Sequence, residues 1–539
     1  MSIAIPTSRD KCRGAMLATA IGDALGWPNE SRSKNKSKSS NSSNGFVAWI
    51  RRNNKPCYHD ERILPGEYSD DTQLTLSVAR SIITGNWEKF FSEKELVFWL
   101  RYERGGGRAL LNAAKSYESG TLPWQSKYAS DYFNAGGNGT VMRILPHVIS
   151  YEKKNLLTDL MIDIIKDSII THGHPRAILG ATCYAFALDY LLRKNSVLGY
   201  GELVSAIIDG EKIWGAYPDE TIFYEWLSSA NQYFNYRKVW TDTLSEMHTQ
   251  LNFIRASLKK GLILDDSKIL TQLGCFSTIS GAGDVAILAA LYLASRYANN
   301  PLLGIKIPAS SPGLDTDTIA SITGGLLGML CGTEWIPVEL KFVQDYDCFN
   351  RITDILLSDD SKQAAKMELL DTNGPPSDWI NTMIGRVRQL ESVTVENGKY
   401  AIVTIKKWQS VLGQTFYTKE MQRLPPQSTY PSLKDSLPDQ QVRLDSMMSE
   451  TKTISDYQNF TKERTIQDAY STDRQFVLSS SSIELLLNNP NFKKSITIGK
   501  VLKIISSILE GNKATSSIAK KFNVPQEVVE MINSCIQQR

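Results

Sequence analysis

Apolar residues recur at helical spacing through most of the first two thirds of the chain, and small residues are set into the apolar faces. Arg13-Gly14-Ala15-Met16-Leu17-Ala18-Thr19-Ala20-Ile21-Gly22 is one such stretch, and Gly281 to Tyr297 is another. Small side chains at those positions let helices approach closely. Alternation of period two is scarce from Lys11 to about Asp359, so this part is expected to be all-α with long functional loops rather than α/β. Leu74, Val78 and Ile82 predict a helix that starts near Ser69. Ile319, Ile322 and Leu326 mark the face of another, in which Gly324, Gly325 and Gly328 permit tight packing.

The pattern changes in three places. Ser31 to Gly45, built from Ser, Lys and Asn, has little apolar surface to bury and reads as a mobile loop projecting from the surface. Val393-Thr394-Val395 and Tyr400 to Ile405 flank Asn397-Gly398, which predicts a β-hairpin because a type I′ turn needs positive φ at both central residues. A polar interval from Leu424 to about Asp473 then precedes helical patterns at Ile498–Leu509, Ser516–Phe522 and Gln526–Cys535. The expected organisation is a main body at 8–360, an accessory segment with the hairpin at 361–423, a polar linker at 424–482 and a helical module at 483–539. The turn at Asn523-Val524-Pro525 makes that module compatible with a helix-turn-helix.

Composition narrows the field little. The 539 residues carry a net charge of +3, which gives no global drive toward nucleic acid or an anionic membrane. The seven cysteines are scattered and include no close metal-ligand or redox pair, consistent with a reducing, cytoplasmic setting. The N-terminal residues lack a signal-peptide pattern, and no apolar run reaches the length of a membrane span.

The candidate chemistry lies in two acidic runs, Ser69-Asp70-Asp71-Thr72 and Asp315-Thr316-Asp317-Thr318, each opening an apolar helical stretch. Either run alone reads as a helix cap, and spacing leaves that reading open for both. Together they offer four carboxylates flanked by hydroxyls. Oxygen-only ligands suit Mg²⁺, with Mn²⁺ as a substitute, better than Zn²⁺ or copper. Mg²⁺ keeps several waters, so such a site would leave positions open for substrate hydroxyls or a nucleophilic water.

Five motifs extend the picture: Gly22-Asp23-Ala24-Leu25-Gly26 followed by Glu30; Gly66-Glu67-Tyr68-Ser69-Asp70-Asp71-Thr72-Gln73; Asn138-Gly139-Thr140-Val141-Met142-Arg143; Thr171-His172-Gly173-His174-Pro175; and Asp315-Thr316-Asp317-Thr318-Ile319-Ala320. In order and spacing the set resembles the ADP-ribosylglycohydrolase family, over about Arg13 to Pro337. The resemblance implies an orthogonal helical domain with a binuclear Mg²⁺ site that hydrolyses the bond between the anomeric carbon of ADP-ribose and an acceptor. It implies Ser69, Asp70, Asp71, Asp315, Asp317 and Thr318 as metal ligands, with Ser69 where a threonine is common. It implies Glu30, Asp70 and Asp317 as catalytic residues, Glu30 guiding or deprotonating the water.

Gly137, Asn138, Gly139 and Thr140 are candidates for holding the diphosphate, because backbone N–H groups in a glycine-rich turn form an anion cradle; a plain structural turn stays open. His172 is a candidate for the ribose or phosphate, and His174 for a loop-shaping role. Asp23 is expected to support the fold or the outer metal shell. Leu314 replaces a glycine common in the family and is expected to narrow the approach to the metals. Trp214, Trp226 and Trp240 are expected in the core, with base stacking as the alternative.

The implied partner is an ADP-ribosylated protein, nucleic acid or small molecule, the acceptor being unspecified. A non-catalytic ADP-ribose reader or scaffold acting through the C-terminal module is the competing function. Lys513, Lys520 and Lys521 there favour a solvated face or a protein-docking bundle, with nucleic-acid binding left open.

Overall fold

The computed structural model describes residues 5–30, 45–54, 59–154, 156–261, 264–371, 378–396 and 401–423, together with 504, 515–522, 524, 526, 529 and 530. The expected surface loop, except Gly45, the Asn397-Gly398 turn, the polar interval and most of the C-terminal module lie outside the described residues. Residues 1–447 form one compact unit and 448–539 another.

The first unit is built mainly from helices, as the apolar spacing predicts. Those that shape the site and core are α1 (Ser8–Glu30), α2 (Asp70–Thr84), α3 (Arg108–Glu118), α4 (Leu157–Ile169), α5 (Pro175–Arg193), α6 (Tyr236–Leu258), α7 (Gly283–Arg296), α8 (Pro301–Ser310), α9 (Thr316–Cys331), α10 (Tyr346–Leu356) and α11 (Asp359–Leu370). Helices α1, α7 and α9 are buried almost all round, which explains why their sequences lack a polar stripe.

The closest packing is between α1 and α9, where glycines remove the side chains that would hold the backbones apart. A Cβ on Gly22 would stand 2.2 Å from the Ala320 carbonyl oxygen, one on Gly26 2.2 Å from that of Thr316, and one on Gly328 2.2 Å from that of Gly14. This register is antiparallel. It sets the end of α1, with Glu30, beside the start of α9, with Asp315 and Asp317. Thr316 Oγ1 donates to the Gly26 carbonyl at 2.8 Å and fixes that end. At the other end of α1, buried Lys11 donates to the carbonyls of Leu191, Leu192 and Lys194, satisfying orphan acceptors at the end of α5.

Two β elements accompany the helices. Strands β1 (Trp49–Asn54) and β2 (His59–Ile63) form an antiparallel ribbon inside the region expected to be all helical. Its residues are mostly charged or polar, so it carries no apolar alternation to read. Strands β3 (Trp379–Thr382), β4 (Gly385–Glu396), β5 (Ala401–Ser410) and β6 (Thr415–Arg423) form an antiparallel sheet in that order. Its centre is the β4–β5 pair, in which Val395 faces Val403 and Glu396 faces Ile402. The Leu412-Gly413-Gln414 turn between β5 and β6 is driven into the helical body, with Leu412 and Gln414 fully buried.

In the second unit, Thr515–Phe522 is helical, and the Val524 N–H bonds the Ala519 carbonyl at 3.1 Å beyond its end. No helix among the described residues is long and apolar enough to cross a membrane.

Candidate active site

The entrance of α2 is held by Asp23 of α1. The fully buried Asp23 carboxylate accepts the Ser69 N–H at 3.0 Å, the Thr72 N–H at 3.1 Å and the Thr72 hydroxyl at 2.6 Å. Ser69 is the N-cap, its Oγ accepting the Asp71 N–H at 3.3 Å. The Asp70 N–H bonds the Arg104 carbonyl at 3.1 Å. With these donors satisfied by Asp23, Ser69 and Arg104, the carboxylates of Asp70 and Asp71 are not spent on capping.

The α1–α9 packing delivers the second run to the same place. Thr318 Oγ1 donates to Asp71 Oδ1 at 3.4 Å, across 247 residues of sequence. Asp315 Oδ2 accepts the Asn138 side-chain amide at 2.8 Å, and Gly281 packs beside it. Asp71 Oδ2 is buried without a hydrogen-bond partner. All four aspartates and Glu30 line one cavity of about 420 Å³, with Gly137, Asn138, Gly139, His172 and Thr318.

Burial raises Asp70, Asp71 and Asp317 well above the ordinary carboxylate range, and neighbouring acids push each further in the same direction. For Asp70 these neighbours are Glu103, Asp23 and Glu30; for Asp71 they are Asp23, Asp70 and Asp315. Such a group needs protons or cations to be at ease. No three carboxylate, imidazole or thiol side chains among the described residues already close into a cage. The acids line the cavity with the Thr318 hydroxyl beside them, and an open oxygen set of this kind fits Mg²⁺, which retains part of its water shell.

His172 is buried and held neutral, its pKa lowered to about 3 by burial and by the nearby Arg143 cation. Arg143 donates to Asp167 at 2.8 Å, to the Gly139 carbonyl at 2.9 Å and to Thr171 Oγ1 at 2.9 Å. The Thr171 hydroxyl, which accepts from Arg143, lies 2.8 Å from His172 Nδ1. The Nε2 edge of the imidazole faces the Gly137–Gly139 turn. The turn is pinned to the start of α7 by the Asn138 N–H to the Gly281 carbonyl at 3.0 Å and the Gly283 N–H to the Gly136 carbonyl at 2.9 Å.

Several side chains stand apart from the cavity or take other work. Thr140 donates to the Ala177 carbonyl at 2.9 Å and is fully buried, so its hydroxyl faces away from the cavity. The Asn138 N–H is spent on Gly281, and its side chain braces Asp315 rather than forming part of an anion cradle. His174 caps α5 by accepting the Arg176 N–H at 3.2 Å. The expected narrowing by Leu314 is not found: Leu314 belongs to the hydrophobic core and does not line the cavity, because positive φ at Gly313 turns the chain inward before it. Trp214, Trp226 and Trp240 are core residues with bonded indole N–H groups.

The structure adds lining residues that no motif marks. Arg108 opens α3 and is an exposed cation on the wall, while Asn112, Tyr128 and Tyr132 line the same cavity. Gly105, at φ +122°, passes so close to Asp70 that a Cβ there would be 2.7 Å from Oδ1.

Fold and site together define an all-helical body that gathers two acidic helix starts at one cleft. Residues 4–366 match the ADP-ribosylglycohydrolase family, and the chain belongs to it. An ADP-ribosylarginine hydrolase of Serratia proteamaculans is 26% identical over 198 residues, which cover 35% of this chain and 49% of that protein. The ADP-ribosyl dinitrogen reductase glycohydrolase of Rhodospirillum rubrum is 26% identical over 182 residues, covering 32% of this chain and 54% of that one. The chain thus spans about half the length of these two hydrolases. An uncharacterized Escherichia coli protein, YegU, is 23% identical over 357 residues, 64% of this chain and 93% of its own length. A solved chain described as an ADP-ribosylglycohydrolase-related protein complex is 19% identical, with a TM-score of 0.40, covering 65% of this chain and 98% of its own.

Proposed function

We propose that the chain hydrolyses the bond joining the anomeric carbon of ADP-ribose to an acceptor, with Mg²⁺ held by Ser69, Asp70, Asp71, Asp315, Asp317 and Thr318. The observation that carries this reading is the convergence of both acidic runs on one cavity, with Asp71 Oδ2 buried and unpartnered. When bound, the divalent ions supply an electrostatic grip on ribose hydroxyls and on the attacking water. Glu30, at the end of α1 on the cavity wall, takes a proton from that water as its oxygen bonds to the anomeric carbon. The bond to the acceptor breaks with its electron pair leaving on the acceptor atom, through an oxocarbenium-like state. Neutral His172 donates from Nε2 to a substrate oxygen, and Arg108 pairs with the diphosphate.

Names of the relatives support an ADP-ribosylated arginine of a protein as the substrate. The buried thiols of Cys12, Cys183, Cys275 and Cys348 suit a reducing, cytoplasmic location. Incubating the purified full chain with Mg²⁺ and proteins ADP-ribosylated on arginine, serine or other acceptors tests the reading. Release of free ADP-ribose that stops in EDTA is the expected result. Binding of ADP-ribose without turnover of any acceptor would instead establish the reader alternative.

A further inference from the structure

The four-stranded sheet lies beyond the segment that matches the family, yet it reaches the entrance of α2 at three points. The Tyr417 hydroxyl of β6 donates to Glu67 Oε1 at 2.7 Å. The Thr415 N–H and hydroxyl donate to Asp345 at 2.8 and 2.7 Å, and the other bond to that carboxylate comes from the Tyr68 hydroxyl at 2.6 Å. Lys419 of β6 donates to Glu61 Oε2 at 2.6 Å, and Glu61 Oε1 pairs with Arg104 at 3.0 Å. Arg104 also pairs with Glu67 at 3.2 Å and lies 4.4 Å from the Tyr417 ring centre. Its own carbonyl receives the Asp70 N–H. Glu67, Tyr68 and Asp70 are therefore each tied to the sheet.

We propose that this sheet is a positioning element for the metal site, acting through Lys419, Tyr417 and Arg104 on Asp70; the inference rests on the metal-site reading above. Lys419, Arg104 and Arg51, the last 3.8 Å from Glu61, face the carboxylates of Glu61 and Glu67, and the Lys419 side chain is only 8% exposed. Removing the Lys419 charge takes from Glu61 its 2.6 Å partner, and the stronger pull of that carboxylate on its remaining cations draws the Arg104 guanidinium toward it. The Arg104 carbonyl and Gly105 move with that side chain, and Asp70 loses its fixed orientation. Supporting groups of this kind alter metal affinity without touching the metal.

Mn²⁺ titration of the full chain, followed by electron paramagnetic resonance, tests the inference without requiring turnover. Lys419→Met is expected to weaken Mn²⁺ binding about tenfold, Tyr417→Phe to weaken it less, and Lys419→Arg to restore most of the affinity. Lys406→Met, on the same sheet but paired outward with Glu420, is expected to bind as the unaltered chain does. Circular dichroism melts identify any variant that does not fold, and if Lys419→Met is one, Tyr417→Phe decides. Folded Lys419→Met and Tyr417→Phe proteins that bind Mn²⁺ as tightly as the unaltered chain would overturn the inference while leaving the metal site intact. An unaltered chain that binds no Mn²⁺ overturns the metal-site reading and the inference with it.

Discussion

At the scale of single residues, Asp71 is where stability and the proposed function pull in opposite directions. Its Oδ2 is buried without a partner, and burial and three neighbouring acids oppose its charge. Asp71→Asn keeps the shape and removes the charge. In EDTA at neutral pH the variant is expected to melt about 2 °C or more above the unaltered chain, and in Mg²⁺ to lose on the order of 100-fold in ADP-ribose release. A variant that melts lower in EDTA would show that Asp71 is an ordinary stabilising cap. Arg108 offers a contrasting test, since it is exposed and makes no ion pair among the described residues. Arg108→Ala is expected to raise KM for the ADP-ribosylated substrate about tenfold with kcat little changed, as for a contact of similar strength in ground and transition states. An equal loss in kcat would place Arg108 at the reacting bond instead. The aspartates were legible in the sequence because an acidic pair before an apolar helix is a local pattern. Arg108 and Tyr128 were not, since a lone residue that becomes a cavity wall only through tertiary packing leaves no local mark. Leu314 misled because the inward turn at Gly313 is set by backbone conformation, which side-chain identity does not reveal.

Among the elements, the α1–α9 pair decides whether a site exists at all. The small residues in both helices announced close approach, but not that the two would be partners, nor that the antiparallel register would bring Glu30 to Asp317. Gly22→Ala tests this contact, because its Cβ would meet backbone at 2.2 Å and no flexible side chain can yield. A loss of about 3 kcal/mol in urea unfolding is expected, with ADP-ribose release reduced in the fraction that remains folded. Unchanged stability would mean that the helices stand further apart. The sheet was only partly legible. The Asn397-Gly398 signal pointed to the β4–β5 pair, whereas β3 is four residues long and β6 mixes Lys and Glu into its alternation. The β1–β2 ribbon escaped notice for a related reason: its apolar cross-strand contact is one pair, Trp49 with Ile63, and the next pair on that side, Arg51 with Glu61, is charged and tied to Arg104.

For the whole molecule, the consequence of gathering so many acids is a fold whose stability is coupled to protons and, on the proposed metal reading, to divalent ions. An unfolded aspartate titrates near pH 4, whereas Asp70, Asp71 and Asp317 in the folded chain titrate higher, first because they are buried and then because they repel one another. Between those values the folded state holds more protons than the unfolded state. The contribution to stability is therefore complete below about pH 4 and is lost as pH rises through the folded values. A divalent ion held as proposed would reverse the trend, because it would bind the deprotonated carboxylates and only in the folded state. Melting temperature measured in EDTA is thus expected to fall as pH is raised above about 4, while the gap between Mg²⁺ and EDTA widens over the same interval. Asp71→Asn is expected to flatten the EDTA curve and to shrink the gap. Mg²⁺ and EDTA curves that run parallel across that range would mean that the acids are not titrating together at a cation site, and the proposed metal chemistry would fall with them.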